Sequence, residues 1–281
     1  MWILRWFGID RSSKIMSTIF KAIGPRLPIN KLVVKNLQNL SNLNSTKSSL
    51  NIPKIVDGMW DNFGRFVGEF PYLNTLSYNE IKNRIQIDGI HNVNKVKESN
   101  RPFILFGGHF ANWDMISNIY REFGVKFSTI YRKSNNPYID SIVKKLRQKD
   151  NFNLVPKDCK IDKKLLQTIK NKDCLIMLVD QKMNESIKVP FLAKDAMTTD
   201  APAKIALKFN YALIPMQMIR INGSNFKIII HPEIKINSTG NFNEDCYNTT
   251  LLINQILESW VIEHPEQWFW LHDRWGIKHT I

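Results

Sequence analysis

Residues 103–114 read FILFGGHFANWD and contain the features that decide the fold. The apolar run FILF is typical of a strand that is buried on both faces of a parallel sheet. Gly107 and Gly108 follow it and permit a tight or left-handed turn, in which His109 lies. Asn112 is a suitable N-cap residue. We therefore predict a strand, a turn that carries His109, and a helix over 112–123.

The same alternation of short apolar runs and helical stretches continues from about residue 85 to the end of the chain. Seven runs are strand candidates: IQIDGI, PFILFGG, KFSTIYR, FNLVP, CLIMLVD, ALIPMQMIRI and FKIIIHPEI. Besides 112–123, helices are predicted over 137–149, 163–171, 201–210 and 243–263. Continuous apolar strands that alternate with helices indicate an α/β fold, with a mostly parallel central sheet flanked by helices.

The first part of the chain has a helical pattern instead. We divide the protein into a helical N-terminal region, 1–84, and one continuous α/β core, 85–281. Helices are predicted around 31–40 and 52–67, and an earlier one carries apolar residues at helical spacing with basic residues near them: Ile15, Met16, Ile19, Phe20 and Ile23. Segment 1–24 is thus amphipathic, and its apolar face either lies in a membrane interface or docks on the rest of the protein.

Composition limits the possible partners and cofactors. The chain has 39 Lys plus Arg against 25 Asp plus Glu, a formal charge of +14. This excess favours an acidic partner, which could be nucleic acid, anionic lipid, a phosphorylated substrate or an acidic carrier protein. Three cysteines without C-x-x-C spacing argue against a disulfide framework or a cysteine-built zinc site, and they favour a reducing compartment. The histidines show no paired ligand spacing, so we predict no metal.

Targeting signals are weak. No run approaches the roughly 18 consecutive apolar residues of a membrane span. The opening MWILRWFGIDR is too short, and becomes charged too early, for a secretory signal. We expect a protein on the cytoplasmic side, either soluble or lying on a surface.

His109 and Asp114 are the candidate catalytic pair. With the histidine in the turn and the aspartate in the first helical turn, the imidazole can fold back onto the carboxylate. The carboxylate would then fix the imidazole tautomer and stabilise the imidazolium, an arrangement suited to general-base activation of an alcohol or amine. The alternative is a polar residue at the end of a buried strand. Spacing alone does not decide between the two.

Further motifs decide it. From about residue 36 to 275 the chain resembles the H-x4-D/E acyltransferases, and most closely the bacterial lipid A biosynthesis late acyltransferases. The motifs follow one another in the family's order: WDNFGRFVGE with Trp60, Asn62, Gly64, Arg65 and Glu69; GGHFANWD; YRKSNNPYID with Tyr131, Arg132, Asn136 and Pro137; VDQ; VPFLAKDAMTT; ALIPM; and HPEQWFWLHDRW. Ala193 departs from the pattern, because the family commonly has glycine there.

The resemblance implies a glycerolipid-acyltransferase-like fold and a specific reaction. A fatty acyl chain would pass from an acyl carrier protein thioester to a hydroxyl of a lipid A precursor, with His109 as general base oriented by Asp114. It implies no cofactor besides the carrier thioester, and no covalent acyl-enzyme. The expected partners are acyl carrier protein, the lipid A precursor and a membrane surface, and not nucleic acid. The expected location is the cytoplasmic face of the bacterial inner membrane, with peripheral attachment.

Other residues receive supporting roles by the same resemblance. Arg132 is expected to bind the oxyanion or a substrate phosphate, or else to form an ordinary ion pair. The start of the helix at Asn112 could add backbone donors. Asp180 and Gln181 follow a buried strand, where they either contact substrate or hold the active-site loops. Thr198 and Thr199 are expected to form a loop or line the substrate.

Two groups of residues could contact larger partners. One is a basic patch that would either dock the carrier protein or be a solvated helix face: Lys144, Lys145, Arg147 and Lys149. The other consists of Trp268, Trp270 and Trp275, which would seat at a membrane interface or fill the core, and we favour the core.

Two alternative functions remain at this stage. The nearer one is an H-x4-D acyltransferase that acts on glycerol phosphate, a glycosylated phospholipid or an amino-acid lipid. The more distant one is a nucleic-acid-binding protein, suggested by the positive charge and the aromatic content. Dispersed lysines and the lack of a recognised nucleic-acid-binding motif argue against it.

Overall fold

A computed structural model describes residues 2–41, 51–131, 136–147, 152–156 and 163–276. Its nine described strands are β1 Ile85–Asp88, β2 Phe103–Gly107, β3 Phe127–Tyr131, β4 Phe152–Pro156, β5 Cys174–Leu178, β6 Ile187–Phe191, β7 Lys194–Thr198, β8 Ala212–Asn222 and β9 Asn225–Ile230. Seven of them form one sheet in the order β1-β9-β8-β2-β5-β3-β4. All its neighbouring pairs are parallel except β8 with β9. The predicted mostly parallel sheet is confirmed, and all seven strand candidates belong to it.

The described α-helices are α1 Ile9–Ile23, α2 Asn30–Ser41, α3 Ile52–Glu69, α4 Tyr78–Lys82, α5 Ile90–Glu98, α6 Pro137–Arg147, α7 Lys163–Lys170, α8 Ala201–Phe209 and α9 Phe242–Glu263. A 3-10 helix, Trp2–Phe7, precedes α1. The predicted helices at 137–149, 163–171, 201–210 and 243–263 correspond to α6, α7, α8 and α9, although residues 148–150 lie outside the described part of α6.

The helix predicted over 112–123 is wrong. The chain forms two short 3-10 helices there, Trp113–Asn118 and Tyr120–Phe123. Asn112 precedes the first with φ −115° and ψ 79°, and its side chain makes no capping hydrogen bond. The side-chain amide instead donates a hydrogen bond to a buried carboxylate, which is described below. The expected N-cap therefore does not form.

The hairpin of β6 and β7 was not predicted. Its turn residues, Leu192 and Ala193, have φ of 49° and 54°. Two successive positive φ angles are the geometry of tight two-residue hairpin turns, in which glycine is favoured because it has no Cβ. This geometry explains why glycine would suit position 193.

The apolar strands are buried on both faces, as their composition predicts. In β2, Ile104 and Phe106 belong to one core cluster, and Phe103 and Leu105 belong to the other. All four side chains are inaccessible to solvent. Trp268 and Trp270 are 2% and 0% exposed, within the first of these clusters. The prediction that these two tryptophans fill the core is confirmed.

Helix α1 docks on α3 through small residues rather than through its apolar face. A Cβ on Gly64 would lie 2.5 Å from the Met16 carbonyl oxygen, and one on Gly68 would lie 2.4 Å from that of Ser12. The buried face of α1 therefore carries serines, namely Ser12, Ser13 and Ser17. Phe20 is the apolar residue of α1 that stacks on Trp60.

As a result, much of the apolar stripe of the N-terminal segment stays exposed. The exposed fractions are 66% for Ile3, 85% for Trp6, 38% for Ile15, 41% for Ile19 and 45% for Ile23. Of the two alternatives for this apolar face, docking on the rest of the protein therefore holds for Phe20 but not for Ile15, Ile19 and Ile23. Among the described helices, none is long and apolar enough to cross a bilayer.

A buried ion pair connects α3 to β8. Glu69 is inaccessible to solvent, and its carboxylate accepts hydrogen bonds from both terminal nitrogens of Arg220, at 2.5 and 3.0 Å. The Arg220 Nε donates to Asn62 Oδ1 at 2.9 Å. Ser13 of α1 and Asn112 also donate to Glu69, at 2.7 and 2.8 Å. The pair thus joins α1 and α3 to the sheet and to the loop after β2.

Replacement of Glu69 by Gln should lower the free energy of unfolding by roughly 3–5 kcal/mol, because it leaves the Arg220 charge buried without its counter-charge. Chemical denaturation of the purified protein measures this loss. The matched control is Asp195→Asn, which removes one partner of the exposed Lys188–Asp195 pair at 3.7 Å. That change should stay within about 0.5 kcal/mol. Equal losses in the two variants would contradict the structural role of the buried pair.

Candidate active site

His109 and Asp180 are brought together by the register of two parallel strands. Gly107 of β2 lies opposite Leu178 of β5, and the Val179 N–H donates to the Gly107 carbonyl at 3.0 Å. Each candidate residue follows two positions after its paired strand residue. Both therefore lie at the carboxyl edge of the sheet, where parallel α/β proteins place ligand-binding groups.

The contact between the two side chains is short and largely shielded. His109 Nδ1 lies 2.6 Å from Asp180 Oδ1, and the His109 backbone N–H donates to Oδ2 at 2.8 Å. The Trp268 indole N–H also donates to Oδ2, at 2.7 Å. The Asp180 side chain is 1% exposed and the His109 side chain 17%. Because an ionised carboxylate only accepts, its partner Nδ1 must carry the proton, which leaves the Nε2 lone pair of neutral His109 available as a base.

The charge of Asp180 is maintained despite its burial. Burial by itself would raise the pKa of this carboxyl, but the charge that His109 carries when protonated and the hydrogen bonds from His109 and Trp268 outweigh it, so the pKa falls to about 2. Asp180 is therefore ionised at neutral pH.

The two glycines permit a close approach rather than a left-handed turn. Neither has a positive φ. A Cβ on Gly107 would lie 2.5 Å from the Met216 carbonyl oxygen, and one on Gly108 would lie 2.8 Å from the Phe110 ring and 3.1 Å from Asp180 Oδ2. The positive φ of this segment occurs at Ala111, at 50°. Glycine at position 108 thus allows the carboxylate to reach the backbone of His109.

We define the His109 loop as residues 108–112 and the Trp-rich tail as residues 264–275. The two segments pair in a short antiparallel bridge between Phe110 and Trp268. The Phe269 N–H donates to the His109 carbonyl and the Ala111 N–H donates to the Gln267 carbonyl, both at 3.0 Å. The Trp-rich tail therefore forms one wall of the site.

Asp114 does not contact His109 in this structure. Its carboxylate oxygens lie 2.7 and 3.0 Å from Arg147 Nη2 at the end of α6, and no hydrogen bond joins it to His109 among the described residues. The predicted orienting contact therefore differs from the observed one, in which Asp180 holds the imidazole. The reason is local: residues 113–118 wind as a 3-10 helix, and the Asp114 side chain is directed to α6.

Three other predicted site residues have structural contacts. Asn112 is fully buried, and its amide donates to Glu69, so it does not face an open substrate site. Thr198 is also fully buried, and its hydroxyl accepts from Arg274 at 2.6 Å. The Thr199 hydroxyl accepts from the Ala201 N–H at 3.4 Å, at the start of α8. These contacts correspond to the loop-forming alternative.

The remaining predicted residues are only partly described. Gln181 is partly buried beside Asp180. In the proposed basic patch, Lys145 is exposed, whereas Lys144 pairs with Asp140 at 2.7 Å and Arg147 faces Asp114. Arg147 is therefore directed towards Asp114 rather than outward with Lys145. Arg132 and Lys149 lie outside the described residues.

Two residues of the Trp-rich tail were missed by the sequence analysis. His272 Nε2 accepts the Lys182 backbone N–H at 2.6 Å, and burial lowers the pKa of this histidine to about 4. Arg274 is fully buried, donates to the Met197 carbonyl at 2.7 Å, and lies over the Phe191 ring. Burial lowers the pKa of Arg274 to about 10. Both contacts join segments that are distant in sequence, so no local pattern signals them.

The described thiols are poorly suited to covalent catalysis. Cys174 and Cys246 are free and buried. Burial raises the pKa of Cys174 to about 11, so it stays a thiol at neutral pH and is a weak nucleophile. Within the described ranges, no group of three or more His, Cys, Asp and Glu side chains is placed to hold a metal ion. Cys159 lies outside those ranges.

A narrow apolar slot lies next to His109. It is lined by Gly108, Trp113, Ile116, Leu178, Met216, Met218 and Ile228. Gly108 precedes the histidine, and the Trp113 ring lies 5.0 Å from the imidazole. The slot therefore lies near the candidate base, and residues of the sheet line its other side.

Comparison with known sequences identifies the family of the chain. Residues 1–276 match the sequence model of one protein family. That family is described as bacterial lipid A biosynthesis acyltransferase. The chain therefore belongs to the bacterial lipid A biosynthesis acyltransferase family, as its motifs indicated.

Individual relatives are distant. The lipid A biosynthesis lauroyltransferase of Escherichia coli K12 is 25% identical over 69% of this chain, and the match spans 62% of that protein's own length. The palmitoleoyltransferase of the same organism is 20% identical over 70% of this chain and 63% of its own length. One similar solved structure is the 1-acyl-sn-glycerophosphate acyltransferase of Thermotoga maritima, with 12% sequence identity and a TM-score of 0.37. The structural match covers 90% of this chain and 98% of that one.

The depressed pKa of His272 predicts how stability depends on pH. The unfolded histidine takes up a proton near pH 6.5, whereas the folded one does so only near pH 4. Stability is therefore complete above pH 6.5 and falls as the pH drops towards 4, by about 3 kcal/mol in total from this group. His272→Asn should remove this part of the pH dependence in denaturation measured from pH 7 to 4. The exposed residue His91 provides the control, since His91→Gln should leave the slope unchanged. Parallel curves for wild type and His272→Asn would contradict the assignment.

Proposed function

We propose that the chain transfers a fatty acyl group from an acyl carrier protein thioester to a hydroxyl of a lipid A precursor, with His109 as general base. The observation that carries the proposal is the His109–Asp180 contact of 2.6 Å at the carboxyl edge of the sheet. It leaves Nε2 of a partly exposed imidazole free to accept a proton. Membership of the family supports the choice of substrates.

The proposed reaction needs one base and no covalent intermediate. His109 Nε2 takes the proton of the acceptor hydroxyl as its oxygen forms a bond to the thioester carbon. The C–S bond then breaks, and the departing thiolate takes the proton from the imidazolium. The products are an ester and a free carrier thiol, and His109 returns to its neutral form. The high pKa of the Cys174 thiol agrees with direct transfer.

We place the acyl chain of the donor along the slot near His109, which must widen to admit it, because its volume of about 10 Å³ holds no more than roughly one water molecule. Its lining side chains are apolar apart from the Trp113 indole nitrogen, and hydrocarbon binds in such an environment through the hydrophobic effect. Met216 and Met218 contribute flexible side chains that can move to admit a chain. The thioester carbonyl at the mouth of the slot would then lie near the imidazole.

Charge and exposed apolar surface support the proposed partners and location. The formal charge of +14 suits an acidic carrier protein and a phosphorylated lipid. Exposed Trp6, Ile15 and Ile19 lie close in sequence to the exposed basic residues Arg11 and Lys14. A helix of this kind can lie in the interface of an anionic membrane. We infer peripheral attachment to the cytoplasmic face of the bacterial inner membrane.

The activity is tested by acyl transfer from a panel of acyl carrier protein thioesters to a tetraacylated, Kdo-bearing lipid A precursor. Wild type should acylate it, and His109→Ala should lose about a hundredfold or more in rate, because a general base contributes that much. His91→Ala, at an exposed position of α5, is the matched control and should retain the wild-type rate. Full activity in His109→Ala would contradict the mechanism.

The same assay separates the acceptor from the chemistry. If wild type acylates glycerol phosphate, a glycosylated phospholipid or an amino-acid lipid instead, and this depends on His109, the base assignment stands and the lipid A acceptor is wrong. Vesicles of anionic lipid, compared with neutral ones, test the membrane surface separately.

The slot predicts how a single substitution changes acyl-chain selection. Ile228 lines the slot, whereas Ile230 on the same strand is not among its lining residues, and the two are 0% and 1% exposed. Ile228→Ala should shift preference towards longer acyl chains, by about two carbons, because three heavy atoms leave the slot. Both replacements should cost roughly 2–5 kcal/mol of stability. Competition between thioesters of different length, with Ile230→Ala as the control, measures the shift. An equal shift in both variants would refute the placement of the chain.

A further inference from the structure

An open groove of about 730 Å³ lies where α1 ends and α2 begins. We call it the basic groove, because Arg26, Lys31 and Lys35 line it and no acidic residue of the described part of the chain does. Arg26 and Lys31 are exposed, and Lys35 is half-buried. None of these three side chains has an ion-pair partner among the residues that the structure describes. Three uncompensated cations around one groove attract an anionic group.

The walls of the basic groove are held by contacts within the fold. The Leu27 N–H donates to the Gly24 carbonyl at 3.0 Å, and the Asn30 N–H donates to the Leu27 carbonyl at 2.9 Å. The Trp60 indole N–H donates to Asn30 Oδ1 at 2.9 Å. A Cβ on Gly24 would clash with the Trp60 ring, so glycine lets the end of α1 pack on α3. The groove is therefore preformed and needs little ordering when a ligand binds.

An exposed apolar row leads along α1 to the basic groove. Ile15, Ile19 and Ile23 follow one another at intervals of four residues, so they lie along one face of the helix. We call these three residues the isoleucine stripe. Leu27, which is 37% exposed, comes after another four residues and lines the groove. Exposed aliphatic surface and the three cations thus meet at one place on the molecule.

This combination favours a membrane lipid over an acidic protein as the occupant. An amphipathic helix in a bilayer interface buries its apolar face at the boundary of headgroups and acyl chains, and its basic residues lie at the level of the phosphates. The isoleucine stripe supplies such a face, and the basic groove supplies the cations at its end. An acidic protein would account for the cations but leaves the aliphatic stripe in water.

The opposite face of α2 connects the basic groove to the candidate active site. Asn36 is fully buried, and its amide donates to the Trp270 carbonyl at 3.2 Å and to the His272 carbonyl at 3.1 Å. Both carbonyls belong to the Trp-rich tail, which forms one wall of the site. A lipid held by Lys31 and Lys35 would therefore be separated from that wall by the width of one helix.

We propose that the basic groove binds the phosphate of an anionic phospholipid while the isoleucine stripe lies in the membrane interface. The inference goes beyond the peripheral attachment proposed above, because it assigns a lipid-binding site formed by the end of α1 and by α2, and it requires no acyl transfer. Lipid bound there would hold the Trp-rich tail, and with it the candidate active site, close to the bilayer surface.

Co-sedimentation of the full chain with vesicles tests the basic groove. Lys31→Gln/Lys35→Gln should weaken binding to vesicles of mixed phosphatidylglycerol and phosphatidylcholine by about 25-fold, since each basic residue near an anionic surface contributes roughly fivefold. The charge-matched control is Lys95→Gln/Lys170→Gln, at exposed positions of α5 and α7. It should lose less than about threefold, because charges away from the membrane are screened by salt. Vesicles of phosphatidylcholine alone should not distinguish the two double variants.

The isoleucine stripe is tested with the same mixed vesicles. Ile19→Gln should weaken binding by about fivefold or more, because apolar surface that leaves water on binding is lost. The matched control is Ile262→Gln on α9, where the isoleucine is 55% exposed but lies outside the stripe. This control should bind as the wild type does, and an equal loss in both isoleucine variants would contradict the placement of the stripe.

Three outcomes would overturn or separate the proposal. Equal losses in the two lysine double variants would show a general attraction of charge and would overturn the site. Unchanged vesicle binding by Lys31→Gln/Lys35→Gln, with loss of binding to an acidic carrier protein, would make the groove a protein-docking surface instead. If the double variant does not fold, Lys31→Gln alone decides, with an expected loss of about fivefold. Failure to acylate any lipid A precursor would overturn the proposed function and leave the vesicle result intact.

Discussion

The charge of a buried carboxylate must be compensated by hydrogen-bond donors. Asp180 obtains three such donors from two segments that are distant in sequence. His109 supplies its backbone N–H and its ring, and Trp268 supplies its indole N–H. An unpaired buried charge costs several kcal/mol, so the sheet edge, the His109 loop and the Trp-rich tail must assemble together. The antiparallel bridge between Phe110 and Trp268 follows from this assembly. The site is therefore part of the fold rather than an addition to its surface.

A second buried carboxylate holds the other end of the His109 loop. Glu69 accepts from Asn112 and from Arg220, and it also receives the hydroxyl of Ser13. The loop is thus attached to a carboxylate at each end. Between the two ends, Ala111 adopts a positive φ, which costs free energy and persists where the surroundings determine the backbone. The helical N-terminal region contributes to the site in this way, through Glu69.

Local patterns predict the strands well, because continuous apolar runs report burial on both faces of a sheet. The adjacency of His109 and Asp180 also follows from parallel pairing, once the register is known. The role of Asp114 could not be predicted in the same way, since spacing along the chain does not fix where a side chain points after an irregular turn. The serine face of α1 was missed for a related reason. Its partner surface is formed by Gly64 and Gly68 on α3, so small residues, rather than apolar ones, decide which side docks.

The separation of the two aspartates has a mechanical consequence. Asp180 directly follows β5 and accepts the His109 backbone N–H and the Trp268 indole N–H, so the proposed base would keep its geometry with little reorganisation during proton transfer. Asp114 and Arg147 join the 3-10 helix after the loop to the end of α6, whose outer side carries exposed Lys145. Movement of α6 would therefore strain Asp114 before it disturbed the imidazole. In the reaction proposed here, which would have to admit a long acyl chain and a bulky acceptor, this arrangement would let the walls move while the proposed base stays fixed.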